Sequence, residues 1–151
     1  MRVLMLEDRH EIMDAFTELL GGLGHEVCPC CDVYEADERL HEQEQGFDCY
    51  IVDLAMSTDG LGAEYVSDAH RGYFTGWVWL RTRVLSDHPE YAKRCILCSG
   101  YIDAFKGEYL STDKDAKKLL YEVLLLSKQE IGEINKSEKL KKRLADIEKS
   151  I

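Results

Sequence analysis

The chain alternates between short apolar runs and longer stretches in which apolar residues recur every three or four positions. Five of the runs read as strands: residues 2–6, 26–31, 47–52, 93–98 and 123–126. The second is interrupted by Pro29, which has no amide hydrogen and therefore suits an edge position. Between the runs the spacing turns helical. From about His10 to Leu23, the side chains Ile12, Met13, Phe16, Leu19, Leu20 and Leu23 make one apolar stripe, and Gly24 is placed to end it. Residues 34–45 predict an amphipathic helix with a very polar outer face, closed by Gly46. Residues 76–85 predict a third helix, with Trp77, Leu80, Val84 and Leu85 inward and Trp79 exposed, where a partner could touch it. A short helix after Tyr101, a loop near Ser111, Thr112 and Asp113, and a helical turn through Lys117–Leu120 lead to the fifth strand. From Glu130 onward, Ile131, Ile134, Leu140, Leu144 and Ile147 predict a long charged final helix over about 130–150. Strands alternating with helices predict an α/β fold built on a parallel sheet.

Four of the strands run into polar residues. The first ends in Glu7-Asp8, the third in Asp53, the fourth in Ser99-Gly100 and the fifth in Ser127-Lys128. In an open parallel sheet, ligands gather at the carboxyl ends of the strands. A carboxylate there is costly to bury unless something pairs with it. These ends therefore converge on one site holding three carboxylates, a hydroxyl and a lysine.

Composition narrows what such a site could serve. The 151 residues predict one domain with a real core, spanning 1–151. The formal charge of -10 argues against nucleic acid and anionic membrane as partners, since phosphate contacts need clustered Lys and Arg. No apolar run approaches the ~20 residues that cross a bilayer. Met1-Arg2-Val3 passes straight into a strand pattern, with no signal peptide in view, so a cytoplasmic, reducing setting is expected. The six cysteines then read as free thiols. Cys28, Cys30 and Cys31 with Cys95 and Cys98 would admit zinc. However, Cys95 and Cys98 sit at odd spacing on a strand and point to opposite faces, so core packing is the simpler reading. The five histidines show no metal spacing, and His10 reads as a surface residue at a helix start.

The chemistry of the set is specific. A carboxylate can attack phosphorus and form an aspartyl phosphate. The nucleophile and the phosphoryl oxygens are both negative, so the reaction needs cations. Mg²⁺ held by one or two carboxylates supplies one. A lysine ammonium and a serine hydroxyl can hold further phosphoryl oxygens.

The ordered set resembles the receiver domain of two-component response regulators. The likeness runs from Arg2 to about the final helix. It rests on Val-Leu-Met-Leu-Glu7-Asp8, Tyr-Ile-Val-Asp53-Leu, Ile-Leu-Cys-Ser99-Gly and Leu-Leu-Ser-Lys128. It implies a flavodoxin-like, doubly wound sheet of five parallel strands in the order 2-1-3-4-5, flanked by helices. It implies that Asp53 accepts the phosphoryl group, with Ser99 and Lys128 beside it. Mg²⁺ would be the cofactor, at Glu7, Asp8, Asp53 and Ala55. A histidine kinase or phosphotransfer protein would donate the group. A downstream protein would read the result by contact, with homodimerisation as a further option. Such a chain is not a conventional enzyme: it catalyses its own phosphorylation from a donor and its own dephosphorylation. Tyr101, two residues after Ser99, would screen the site from water and slow that loss.

Several features depart from the family pattern. Ser57 stands where proline is common. Gly76 is the best match for the glycine that opens the following helix, which leaves an insertion at about 57–75. Gln129 replaces the usual proline after the lysine, which disfavours a cis peptide there. Leu125 occupies the position of the switch aromatic. Lys117 and Lys118 are rivals to Lys128, but no apolar strand precedes them. The departures support an alternative, a phosphorylation-independent pseudo-receiver acting as an interaction module. A phosphatase of the haloacid-dehalogenase type would show Asp-x-Asp after the first strand, where this chain has Glu7-Asp8.

Overall fold

The structure is a computed structural model and describes residues 1–112, 114–128 and 136–151. Five parallel strands form one sheet: β1 (Arg2–Leu6), β2 (Glu26–Cys30), β3 (Cys49–Val52), β4 (Cys95–Ser99) and β5 (Leu124–Ser127). Their order across the sheet is β2-β1-β3-β4-β5, the doubly wound flavodoxin-like arrangement. The register pairs Leu6 with Cys30 and with Val52, Val52 with Leu97, and Ser99 with Ser127, so β4 and β5 run two residues past the level at which β1, β2 and β3 end.

The alternation of side chains along each strand divides the core in two. Val3, Met5, Cys49, Ile51, Ile96 and Cys98 point to one face, where they meet α1 (His10–Gly22) and α6 (Glu138–Ser150). Leu4, Leu6, Tyr50, Val52, Cys95 and Leu97 point to the other. There they meet α2 (Val33–Glu42), α3 (Thr75–Trp79), α4 (Ile102–Thr112) and α5 (Lys114–Leu120). Cys95 and Cys98 thus belong to opposite layers, and all six thiols are free. In α1 the predicted stripe buries Met13, Phe16 and Leu20, whereas Leu23 at its end is 47% exposed. Asp32 caps α2 by accepting from the Glu35 amide, while the Glu35 carboxylate accepts from the amide of Cys31. Among the described residues no helix is long and apolar enough to cross a membrane. Ile131, Ile134, Gln129 and Asp113 lie outside the described residues, and the final helix is seen from Glu138.

The expectation for Trp79 is overturned. Residues two apart on a helix lie about 200° apart around it, so Trp77 and Trp79 share a buried setting only if the helix is covered on opposite sides. That is the case here: every residue of α3 is buried. The Trp79 indole donates Nε1–H to Oδ1 of Asp37 on α2 at 2.9 Å, so it is an internal tie rather than a partner contact. After Trp79 the helix widens into a π-type turn over Leu80–Val84.

The aperiodic stretch before α3 is ordered by that same turn. It contains two single 3₁₀ turns, Ala63–Tyr65 and His70–Gly72. The Arg83 guanidinium donates to the carbonyl oxygens of Leu61 (3.0 Å) and Gly60 (3.4 Å) and pairs with Asp37 at 3.4 Å. One side chain thereby joins the segment, α2 and the end of α3. Arg83→Met keeps the apolar stem and removes these bonds. It is expected to cost about 1–3 kcal/mol and to open residues 57–66 to proteolysis ahead of the rest. Limited digestion followed by mass mapping checks this, and an unchanged cleavage pattern would contradict it.

Candidate functional site

The carboxyl ends of β1 and β3 place the acidic residues. The Glu7 amide donates to the Cys30 carbonyl (3.0 Å) and the Asp53 amide to the Leu6 carbonyl (2.9 Å). Sheet hydrogen bonds therefore continue up to the two residues that carry the carboxylates. Glu7 and Asp53 are 2% and 4% exposed, whereas Asp8 faces solvent. One oxygen from each of Glu7, Asp8 and Asp53 lies within 4.8 Å of the other two.

Lys128, just past β5, supplies the cation. Its Nζ is 2.8 Å from Oδ2 of Asp53 and 3.0 Å from Oε2 of Glu7. Its backbone amide donates to the Ser99 carbonyl at 3.1 Å, which fixes it against the end of β4. Lys117 and Lys118 lie on α5 instead. Ser99 is 1% exposed, and its Oγ accepts from the Tyr101 amide at 3.3 Å. The Ala55 amide donates to Oδ1 of Asp53 at a long 3.4 Å. His10 opens α1 at the surface.

Burial and charge act against each other here. Burial first, and then the neighbouring charge of Asp53, push the Glu7 carboxyl up to about 7, although its bond to Lys128 pulls the other way. Burial also works against the Lys128 ammonium, but the hydrogen bonds and charges of Asp53 and Glu7 outweigh it and raise its pKa. One ammonium thus pairs with two of the three clustered carboxylates. Three clustered oxygen donors with surplus negative charge are the donor set of a hard divalent cation, so the residues present fit Mg²⁺.

Some supporting contacts gave no signal in the sequence. The Arg9 amide donates to Oε1 of Glu7 at 3.1 Å and helps to aim it. The Thr75 hydroxyl donates to the Met56 carbonyl at 2.9 Å and pins the loop after Asp53 to the start of α3. The Tyr101 ring, 45% exposed, packs against Tyr73 at 5.1 Å between centroids. The Thr75 bond and the contact of Tyr73 with Tyr101 join segments that no local pattern connects.

Neither a protein-family model nor a curated protein matches the sequence. Solved structures do. The receiver domain of the hybrid histidine kinase CckA is 24% identical, with 95% of this chain and 99% of that one covered at a TM-score of 0.53. A response regulator receiver domain protein from Clostridium thermocellum is 18% identical, with 99% and 98% covered and a TM-score of 0.61. The response regulator TrrA from Thermotoga maritima, solved in complex with Mg²⁺ and BeF, is 16% identical, with 97% of each chain covered and a TM-score of 0.61. Identities this low establish the fold: the chain has the fold of response regulator receiver domains.

Proposed function

We propose that the chain is a phosphoryl-accepting receiver of the two-component type and that Asp53 is the acceptor. The observation that carries this is the contact of the Lys128 ammonium with Asp53 and Glu7, inside a cluster of three carboxylates at the strand ends. An oxygen of the Asp53 carboxylate attacks phosphorus. The bond from phosphorus to the donor breaks, and an acyl phosphate remains on Asp53. With a phosphohistidine of a kinase or phosphotransfer protein, the leaving group is imidazole.

The side chains divide the work. Lys128 moves from pairing with carboxylates to pairing with a phosphoryl oxygen. The Ser99 hydroxyl accepts from the Tyr101 amide and keeps its proton to donate to another phosphoryl oxygen. Glu7, Asp8 and Asp53 would hold Mg²⁺, with Ala55 beside them. When bound, the cation supplies the charge that lets an anionic nucleophile approach an anionic phosphoryl group. In this reading the segment 57–75 and the final helix are additions to one receiver domain, and output is by contact with another protein. Leucine at 125 rules out an aromatic ring as the moving part at that position.

The test is intact mass after incubation with acetyl phosphate, with and without Mg²⁺, for the parent and for Asp53→Asn. The expected result is one phosphoryl group gained, absent without Mg²⁺ and absent in the variant. No gain, together with no Mg²⁺-dependent binding of beryllofluoride, would replace this reading with that of a phosphorylation-independent interaction module.

A further inference from the structure

A cleft of about 490 Å³ lies at the amino end of the sheet, at the far end of β3 from Asp53. That volume is in the range of sites for small molecules. Its floor is the Tyr50 phenol. Gly46, with φ of 67°, puts no side chain over it: a Cβ there would stand 3.2 Å from the phenol oxygen and 3.8 Å from the Tyr91 ring. Tyr50 is 1% exposed, and burial pushes its phenol up to about 12, so it keeps its proton at neutral pH. The phenol oxygen accepts from the Phe47 amide at 3.2 Å, but among the described residues no group accepts its proton. A buried tyrosine hydroxyl seldom goes without such a partner.

The rim is acidic. Glu44 has no hydrogen-bond or ion-pair partner among the described residues, and the Asp87 carboxylate meets only the Ser86 hydroxyl, at 3.5 Å. The one guanidinium in the lining, that of Arg83, is already engaged with Asp37 and with the carbonyls of Gly60 and Leu61. The His88 ring stacks on Tyr91 at 4.6 Å between centroids, and its Nδ1 lies 3.1 Å from the Glu90 carboxylate. Leu40 and Val84 supply apolar wall.

Floor and rim make opposite demands. A bare cation would answer the carboxylates and leave the Tyr50 proton without an acceptor. An anion would answer Tyr50 and meet two unpaired carboxylates, in a chain of charge -10. The fitting group is neutral and carries donors and an acceptor side by side. Two parallel N–H groups match the two oxygens of a carboxylate. Adenine, cytosine and uracil each place one ring-edge N–H beside an acceptor. Guanine places two, N1–H and N2–H, beside O6. Its flat ring can lie against Leu40, Val84 and Tyr91, where a small amide would leave most of the cleft unfilled.

We propose that this cleft binds a guanine base, its O6 accepting from the Tyr50 hydroxyl and its N1–H and N2–H edge donating to the rim carboxylates of Glu44 and Asp87. The site goes beyond the phosphoacceptor reading and does not rest on it. The two stand at opposite ends of β3, which runs from Cys49 to Val52.

The test titrates the full chain, with labelled tyrosine rings, with guanosine in two-dimensional NMR. Inosine keeps the shape and O6 but lacks the N2 amino group, and adenosine has a donor where guanosine has O6. The expected result is a saturable shift at Tyr50 and Tyr91 with guanosine. Binding should be at least about tenfold weaker for inosine and for adenosine, about 1.4 kcal/mol. Glu44 and Asp87 are both exposed, so the double variant Glu44→Gln, Asp87→Asn keeps the fold. It should weaken guanosine at least about tenfold. Tyr50→Phe should weaken it several-fold. That change also takes the acceptor from the Phe47 amide, so its amide spectrum is compared with the parent's first; if it fails to fold, the double variant and inosine decide. Equal binding of inosine or adenosine, undiminished affinity in the double variant or in folded Tyr50→Phe, or no saturable shift would each overturn the proposal. Phosphoryl uptake at Asp53 is scored in a separate assay, so failure here leaves that reading standing.

Discussion

Gly76→Ala is expected to lose at least about 4 kcal/mol of stability, or to fail to fold, although it adds a single methyl group. A Cβ at this position would stand 1.7 Å from the Asp53 carbonyl oxygen, 2.8 Å from its carbonyl carbon and 2.7 Å from a methyl of Val52. The obstacle is mostly backbone, and that backbone is held on both sides. The Asp53 amide bonds to Leu6, and the Gly76 amide bonds to the Leu54 carbonyl at 3.0 Å. Either α3 must lift off the sheet or the end of β3 must shift, and the second option displaces Asp53, the proposed acceptor. Ordinary overpacking costs about 1–3 kcal/mol because side chains can turn aside. Here no rotamer relieves the contact. Gly22→Ala in α1 is the natural control, since a Cβ there meets nothing within 4 Å. Urea unfolding of the two variants measures the contrast. A loss below about 1 kcal/mol at Gly76 would mean that α3 is not seated on β3 as described.

Glu7→Gln is expected to stabilise the metal-free protein and to weaken its grip on Mg²⁺. Two buried carboxylates share one ammonium, and the cost falls on Glu7, whose pKa is lifted from 4.5 to about 7. The sign follows from proton counting. Between those two values the folded chain holds a proton at Glu7 that the unfolded chain has released. Stability therefore falls as the pH rises through the window, and levels off above it. The full shift corresponds to up to about 3 kcal/mol. With EDTA present, the parent should lose stability relative to Glu7→Gln between pH 5 and 8. Added Mg²⁺ should restore the parent at pH 8 more than it helps the variant. Unfolding midpoints at both pH values, with and without the cation, check each part. A constant difference between parent and variant across the window would sink the argument.

The strand ends were legible because each carries its own signal. A β-strand buried on both faces reads as an unbroken apolar run, and an acid or lysine at its end breaks that run at one identifiable residue. Asp53 and Lys128 could be found in this way without knowing that Nζ and Oδ2 meet at 2.8 Å. The final choice of Lys128 over Lys117 needed only the strand before it. The segment from Ser57 to Phe74 was illegible for the opposite reason. Its order comes from Arg83, more than twenty positions away from the carbonyls it holds, and from Asp37 on another helix. Trp79 was misread because helical periodicity assumes one buried side. A short helix roofed by a long connection has two. The contact of Tyr73 with Tyr101 combines both difficulties, since it joins an aperiodic stretch to a helix start.

Pro29 has a consequence beyond marking an edge strand. The Cys30 carbonyl bonds inward to the Glu7 amide, and groups along a strand alternate sides, so Pro29 faces outward from the open side of β2. Near the carboxyl end of that edge, the place where a foreign strand would find an amide hydrogen is occupied by a ring. This border of the sheet is a poor template for growth. Crowded or partly unfolded copies would not extend each other there into a continuous sheet. Pro29→Val would return the missing donor to a five-residue strand, and with it the liability to aggregate.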